Sequence, residues 1–228
     1  MRTTAELVQS DRRHVWHPFT QQQGWSEEEP PLVIDRAEGT NLYDAEGNSY
    51  IDGVSSLWCN VHGHRHPAID EAIRAQLDRV AHSTLLGLSH EPAIELAERL
   101  IAVAPAGLQR VFYSDSGSTA VEIALKMAFQ WWAQREEPAR TRFVYLENAY
   151  HGDTIGAVSV GGIDLFHSVY RPLLFDALQA RAGDAAQLEA LLEQHGPEVA
   201  AVIVEPLVQG AAGMLMQPPG YLRRVREC

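Results

Sequence analysis

The stretch Val111-Phe112-Tyr113-Ser114-Asp115-Ser116-Gly117-Ser118-Thr119-Ala120-Val121-Glu122 decides how this chain is read. Apolar residues give way to small hydroxyl residues and a glycine, and an amphipathic pattern starts directly behind them. That order predicts a strand over Arg110 to Tyr113, a loop, and a helix from about Ser118 to Arg135. At such a helix start the first backbone N–H groups lack partners and the dipole is positive, which makes the loop a seat for phosphate. A Ser-Gly-Ser-Thr run also caps many ordinary helices, and that reading stays open beside the first. The loop lacks the Gly-Lys-Ser/Thr ending of a P-loop and the three-glycine dinucleotide spacing, so a smaller phosphorylated ligand fits better than a nucleoside triphosphate or NAD.

Downstream, Arg142 to Leu146 and Val199 to Val204 are short, nearly continuous apolar runs, with a helix carrying Leu188, Leu191 and Leu192 between them. Such runs separated by helices predict a parallel sheet covered on both faces, an α/β architecture. Upstream, Pro67 opens an amphipathic helix with Ile69, Ala72, Ile73, Leu77 and Val80 on an inward face. A second helix starts at Glu91 and turns Ile94, Leu96, Ala97, Leu100 and Ile101 inward. Before these, the segments 32–36, 40–44 and 49–52 lie between turn signals and predict a small antiparallel sheet. Residues 5–13 read as a short polar helix, His17-Pro18-Phe19-Thr20 as an extended lead-in, Ser26 to Pro31 as a loop, and Pro218 to Cys228 as the start of a helix. The domain expectation is 1–60 as an N-terminal segment of a small domain and 61–228 as part of a larger ligand-binding domain.

With 18 Lys+Arg against 30 Asp+Glu the net charge is -12, which speaks against nucleic acid or an anionic membrane as partner. No run reaches the roughly 18 apolar residues of a membrane helix. Cys59 and Cys228 give no disulfide framework, which suits a reducing cytoplasm. Lys126 is the only lysine.

Three predicted strand ends carry polar loops: Ser114 to Thr119, Glu147 to Thr154, and Glu205-Pro206 with Gln209-Gly210 behind. In a doubly wound sheet ligands bind at the carboxyl ends of the strands, so these loops are expected to converge. Tyr150 offers an aromatic face and a hydroxyl, His151 a titratable ring, Asp153 a carboxylate, and Glu205 a charge at a strand terminus. Tyr150 as simple core, and Asp153-Thr154 as a helix cap, remain alternatives. His62-Gly63-His64-Arg65-His66 invites a metal reading, but Gly63 and Pro67 favour a turn and no further ligand cluster follows. Trp131-Trp132 reads as helix packing. Ser116 and Ser118 are not set in a Gly-x-Ser-x-Gly elbow, which argues against a hydrolase nucleophile.

Taken together, His17-Pro18-Phe19-Thr20, Asp52-Gly53-Val54-Ser55-Ser56-Leu57-Trp58, His62-Gly63-His64, Ser114-Asp115-Ser116-Gly117-Ser118, Tyr150-His151-Gly152-Asp153-Thr154 and Val204-Glu205-Pro206-Leu207-Val208-Gln209-Gly210 resemble the class III aminotransferases of pyridoxal phosphate fold type I. The resemblance runs in order along nearly the whole chain. It implies pyridoxal 5'-phosphate as cofactor, its phosphate held by Gly117 and Ser118, its ring against Tyr150, with His151 and Asp153 shaping that wall and Glu205 near by. It implies a substrate pocket lined by Phe19, Leu57, Trp58 and Tyr150, and a homodimer. Within the family the likeness is to the biotin-synthesis branch, which implies 8-amino-7-oxononanoate as amino acceptor, S-adenosylmethionine as donor and 7,8-diaminononanoate as product. Two positions depart from that branch: Phe19 stands where a tyrosine is frequent, and Leu57 where a tryptophan is frequent, which removes a hydroxyl and stacking area.

The resemblance also implies segments beyond Cys228: a strand with an Asp for the pyridine nitrogen, the Schiff-base lysine, and an arginine for the substrate carboxylate. Lys126, four residues after Glu122, is expected to form a surface pair with it and to point to solvent, a poor nucleophile. This chain alone is therefore expected to be an inactive portion of the enzyme, with no catalytic residue of its own and an exposed sheet edge. The rival readings are a class III ω-amine transaminase and a non-catalytic short paralogue acting as a partner subunit.

Overall fold

The central strand is Arg142–Leu146 (β4), whose alternating side chains feed two separate cores. Val144 and Leu146 are fully buried on one face with Ala180, Leu188, Val199 and Tyr221, while Phe143 and Tyr145 pack on the other with Leu125 and Val160. Burial of both faces is why this segment reads as a continuous apolar run. The computed structural model describes residues 2–25, 30–135, 137–163 and 168–228. The chain forms two compact units, one reaching Arg99 and the other running from Leu100 to Cys228. That division follows packing, whereas the division expected at residue 60 follows the change from strands to helices.

In the second unit, β4 lies between Leu178–Ala180 (β5) and Val199–Val202 (β6), parallel to both. Helix Gly117–Ala133 covers one face through Val121, Leu125 and Ala128. Helices Ala185–His195 and Tyr221–Glu227 cover the other through Leu188, Leu191, Tyr221 and Val225. Trp132 donates its indole N–H to the Ala200 carbonyl at 2.8 Å, fixing the end of the long helix over β6. Arg110 to Tyr113 is not a strand: β4 is already paired on both sides, and no described strand lies alongside these residues to complete a ladder. A short helix Ile155–Ser159 and a hairpin of Val208–Gln209 with Leu215–Met216 complete the unit.

In the first unit, Ile34–Glu38 (β1), Asn41–Asp44 (β2) and Ser49–Ile51 (β3) form the expected antiparallel sheet in the order β1-β2-β3. Asp44 is buried beneath its turn, accepting from the Glu46 and Asn48 N–H groups and from the Tyr50 hydroxyl. A helix spans Thr4–His14, capped by Thr3 and Glu6. His17 to Thr20 is a turn with Phe19 at φ 52°, not an extended segment. Most of the expected loop Ser26 to Pro31 lies outside the described residues. Helices Pro67–Leu77 and Glu91–Val103 form as expected, yet their apolar stripes stay exposed: Ile73 is 55% and Leu96 49% accessible. Periodicity selects an apolar face, and within this chain no described element is packed tightly enough on these stripes to bury them.

Between β3 and the first of these helices, Ser55, Ser56, Leu57 and Trp58 take φ values of 51°, 48°, 62° and 68°. With ψ at 54° and 55° for Ser56 and Leu57, they form one left-handed helical turn. For L-residues this costs roughly 1–2 kcal/mol each, so specific contacts must hold it.

Candidate functional site

In the second unit the long helix begins at Gly117 with Ser116 as its cap: the Ser116 hydroxyl accepts from the Thr119 N–H at 3.2 Å, and the Thr119 hydroxyl accepts from the Ser116 N–H at 3.0 Å. This reciprocal box satisfies Thr119 and Ser116 but leaves the Gly117 and Ser118 amides without an acceptor among the described residues. The capping reading and the anion-seat reading are thus both satisfied, by different N–H groups.

The loop after β4 closes on this helix end. Asp153 N–H donates to the Ser118 hydroxyl at 3.3 Å. Gly152 is buried at φ 118°, and a Cβ there would run into the Ser118 side chain, so only glycine lets the two segments approach so closely. The short helix that follows is tied back by Glu122, whose carboxylate accepts the Gly156 N–H at 2.7 Å. Glu122 is therefore half-buried and makes no ion pair with Lys126 among the described residues, contrary to the surface pair expected from their spacing. The reason is that a free helix-start amide competes for the carboxylate.

The third loop joins through Glu205. One carboxylate oxygen accepts the Tyr150 N–H at 3.0 Å and the other the Gly210 N–H at 3.0 Å. Fully buried Gln209 donates to the Glu147 carbonyl at 2.9 Å and accepts from Gln217 at 3.0 Å. Tyr150 donates its hydroxyl to Asp153 at 2.6 Å. Burial, then this bond and the Asp153 charge, push the phenol up to about 12, so it stays protonated across the physiological range. Burial lowers the His151 pKa, with the Glu205 charge opposing, which favours the neutral ring. Among the described residues the buried His151 Nε2 and Thr154 Oγ1 atoms have no hydrogen-bond partner.

Gly117, Ser118, Tyr150, His151, Asp153 and Glu205 are accordingly gathered at one end of the sheet. Glu122, Gln209 and Gln217 support them without having been singled out; their partners lie 34, 62 and 8 residues away in sequence, and only the Gln209-Gly210 pair carried a hint. Phe19, Leu57 and Trp58 belong to the first unit, 75%, 73% and 55% exposed there. In that unit the His64 ring bonds Asp52 at 2.7 Å, and His62 and His66 meet edge to face with centroids 5.9 Å apart.

A comparison with protein families matches residues 23–228 to aminotransferase class-III. The chain belongs to the class III aminotransferase family. A relative from Nitratidesulfovibrio vulgaris, named adenosylmethionine-8-amino-7-oxononanoate aminotransferase, is 59% identical over 98% of this chain and 45% of its own length. The crystal structure of the like-named enzyme from Methanocaldococcus jannaschii superimposes with a TM-score of 0.95 at 44% identity, over 99% of this chain and 52% of that one. An amine transaminase from an uncultivated Pseudomonas species, solved in its PLP-bound form, matches with a TM-score of 0.85 at 36% identity, over 94% of this chain and 52% of its own. The chain spans about half the length of the curated relatives it matches. The α/β fold read from the sequence is that of these transaminases.

Proposed function

We propose that the protein carrying this chain is a pyridoxal phosphate-dependent aminotransferase that transfers an amino group from S-adenosylmethionine to 8-amino-7-oxononanoate. The observation that carries the reading is the gathering of the loops that follow β4 and β6 on the start of one helix, through the Ser118–Asp153 and Glu205–Tyr150 bonds. The likeness to relatives of that name supports the substrates. The donor set fits the cofactor: two open amides and a hydroxyl suit a phosphate, and a half-buried phenol suits an aromatic ring.

When bound, pyridoxal phosphate supplies the electron sink through which an amino group is exchanged. The chain's own residues do the holding. Gly117 and Ser118 amides, with the Ser118 hydroxyl, take the phosphate. Tyr150 presents its ring, and Asp153 fixes that ring by accepting a hydrogen bond from its hydroxyl. Glu205 keeps the Tyr150 and Gly210 loops together, and neutral His151 closes the wall without adding a cation. The family likeness gives Phe19, Leu57 and Trp58 of the first unit, and separately Tyr150 of the second, a part in substrate recognition in the whole enzyme.

Lys126 is not the nucleophile in this reading. It is exposed and lies eight residues beyond Ser118, roughly 12 Å along the helix. Borohydride treatment with pyridoxal phosphate is expected to leave Lys126 unmodified; an adduct there would reverse the assignment. The whole enzyme acts in the cytoplasm as a homodimer, and the exposed stripes at Ile69, Ile73 and Leu77 support a subunit interface.

A second reading, an ω-amine transaminase, is favoured by Phe19 and Leu57 and by the likeness to an amine transaminase. Assaying the whole protein with 8-amino-7-oxononanoate separates the two. Diaminononanoate formed with S-adenosylmethionine supports the first; turnover only of simple amines with a keto acid supports the second.

A further inference from the structure

The left-handed turn Ser55 to Trp58 is anchored at one point. The Asp52 carboxylate accepts the Ser56 N–H at 2.8 Å on one oxygen, and the Ser56 hydroxyl at 2.8 Å and the His64 ring nitrogen at 2.7 Å on the other. Both anchors are themselves fixed to the sheet. The Asp52 N–H donates to the Thr40 carbonyl at 2.8 Å, and His64 exchanges two backbone bonds with Gly39, at 2.8 and 3.0 Å. The Asp52 and His64 side chains are 5% and 13% exposed. Ser56 and His64 meet on the carboxylate and not on each other, so the trio is not a nucleophile with its base.

The turn itself is closed by Trp58 N–H to the Val54 carbonyl at 2.7 Å and Cys59 N–H to the Ser55 carbonyl at 2.9 Å. None of its four residues is glycine, and two large apolar side chains, Leu57 and Trp58, project from it largely exposed. A strained backbone persists only where its surroundings over-determine it, and here the side-chain bonds that tie the turn to the sheet run from Ser56 through Asp52.

We propose that Asp52, oriented by His64, is a positioning residue that sets substrate selectivity by holding Leu57 and Trp58 in the left-handed turn. The proposal rests on the reading of those two side chains as a wall of the substrate pocket. Releasing Ser56 lets the turn relax toward negative φ and displaces both side chains together.

The test is steady-state kinetics on the full-length protein with Trp58→Ala, Asp52→Ala, and both, alongside the dissociation constant for pyridoxal phosphate. Trp58→Ala is expected to raise the KM for the amino acceptor by on the order of tenfold to a hundredfold, and Asp52→Ala to do the same with cofactor affinity unchanged. The double variant is expected to be no worse than either single one, because Asp52 acts through the turn. Adding Ser56→Gly to Asp52→Ala is expected to recover part of the loss, since glycine adopts the turn without strain. An Asp52→Ala enzyme with KM within twofold of the parent beside an impaired Trp58→Ala, or a double variant whose losses multiply, overturns the positioning role alone. A Trp58→Ala enzyme with unchanged KM overturns the wall reading, and the proposal with it. If Asp52→Ala does not fold, His64→Ala is judged by the same criteria.

Discussion

Gly152 shows how single residues decide the site. Its φ of 118° and the Ser118 side chain where its Cβ would go leave no room for another residue. Gly152→Ala is expected to cost about 1–3 kcal/mol from the backbone alone, read as a lower denaturant midpoint, and to weaken pyridoxal phosphate binding by displacing Ser118. His151 contributes to the pH dependence of stability. Its folded pKa lies below the ordinary 6.5 because burial opposes the charged ring. The stability it contributes is therefore present above pH 6.5 and is lost as pH falls through the folded value. His151→Gln is expected to flatten the dependence of stability on pH in that acidic window; an unchanged slope would show that another group is responsible. The convergence of the loops bearing Tyr150, Asp153 and Glu205 was legible because both follow strands of one parallel sheet. Glu122 and Gln209 were not, because a helix-face glutamate and a strand glutamine look ordinary until distant amides and carbonyls come to them.

At the scale of elements, β4 holds the second unit together, and the two faces it presents were visible in the run Arg142 to Leu146. Leu146→Ala, at a fully buried position, is expected to destabilise the protein by about 2–5 kcal/mol in denaturant unfolding, with the site lost only as the fold is lost. Long periodic segments such as the helices from Pro67 and Glu91 were read correctly in kind. Three-residue β5 was missed because Leu-Gln-Ala is too short to show a period, and Arg110 to Tyr113 was taken for a strand because composition cannot reveal whether a neighbour is available. The left-handed turn at Ser55 to Trp58 was beyond reach for a different reason. No propensity favours it, and the Asp52–His64 pair that anchors Ser56 comes together across 12 residues.

For the whole molecule, class III aminotransferase family membership coincides with a helix start whose first two amides are open. The exposed stripes of the first unit support the subunit interface proposed above. Family likeness supports pyridoxal phosphate as the ligand, and the arrangement of Gly117, Ser118, Tyr150 and Glu205 supports where each end of it lies. The most direct measurement is a crystal structure of the whole protein with pyridoxal phosphate. Cofactor phosphate oxygens are expected about 2.7–3.2 Å from the Gly117 and Ser118 nitrogens, with the Tyr150 ring against the pyridine. A phosphate bound elsewhere, with those two amides facing solvent, would contradict this placement.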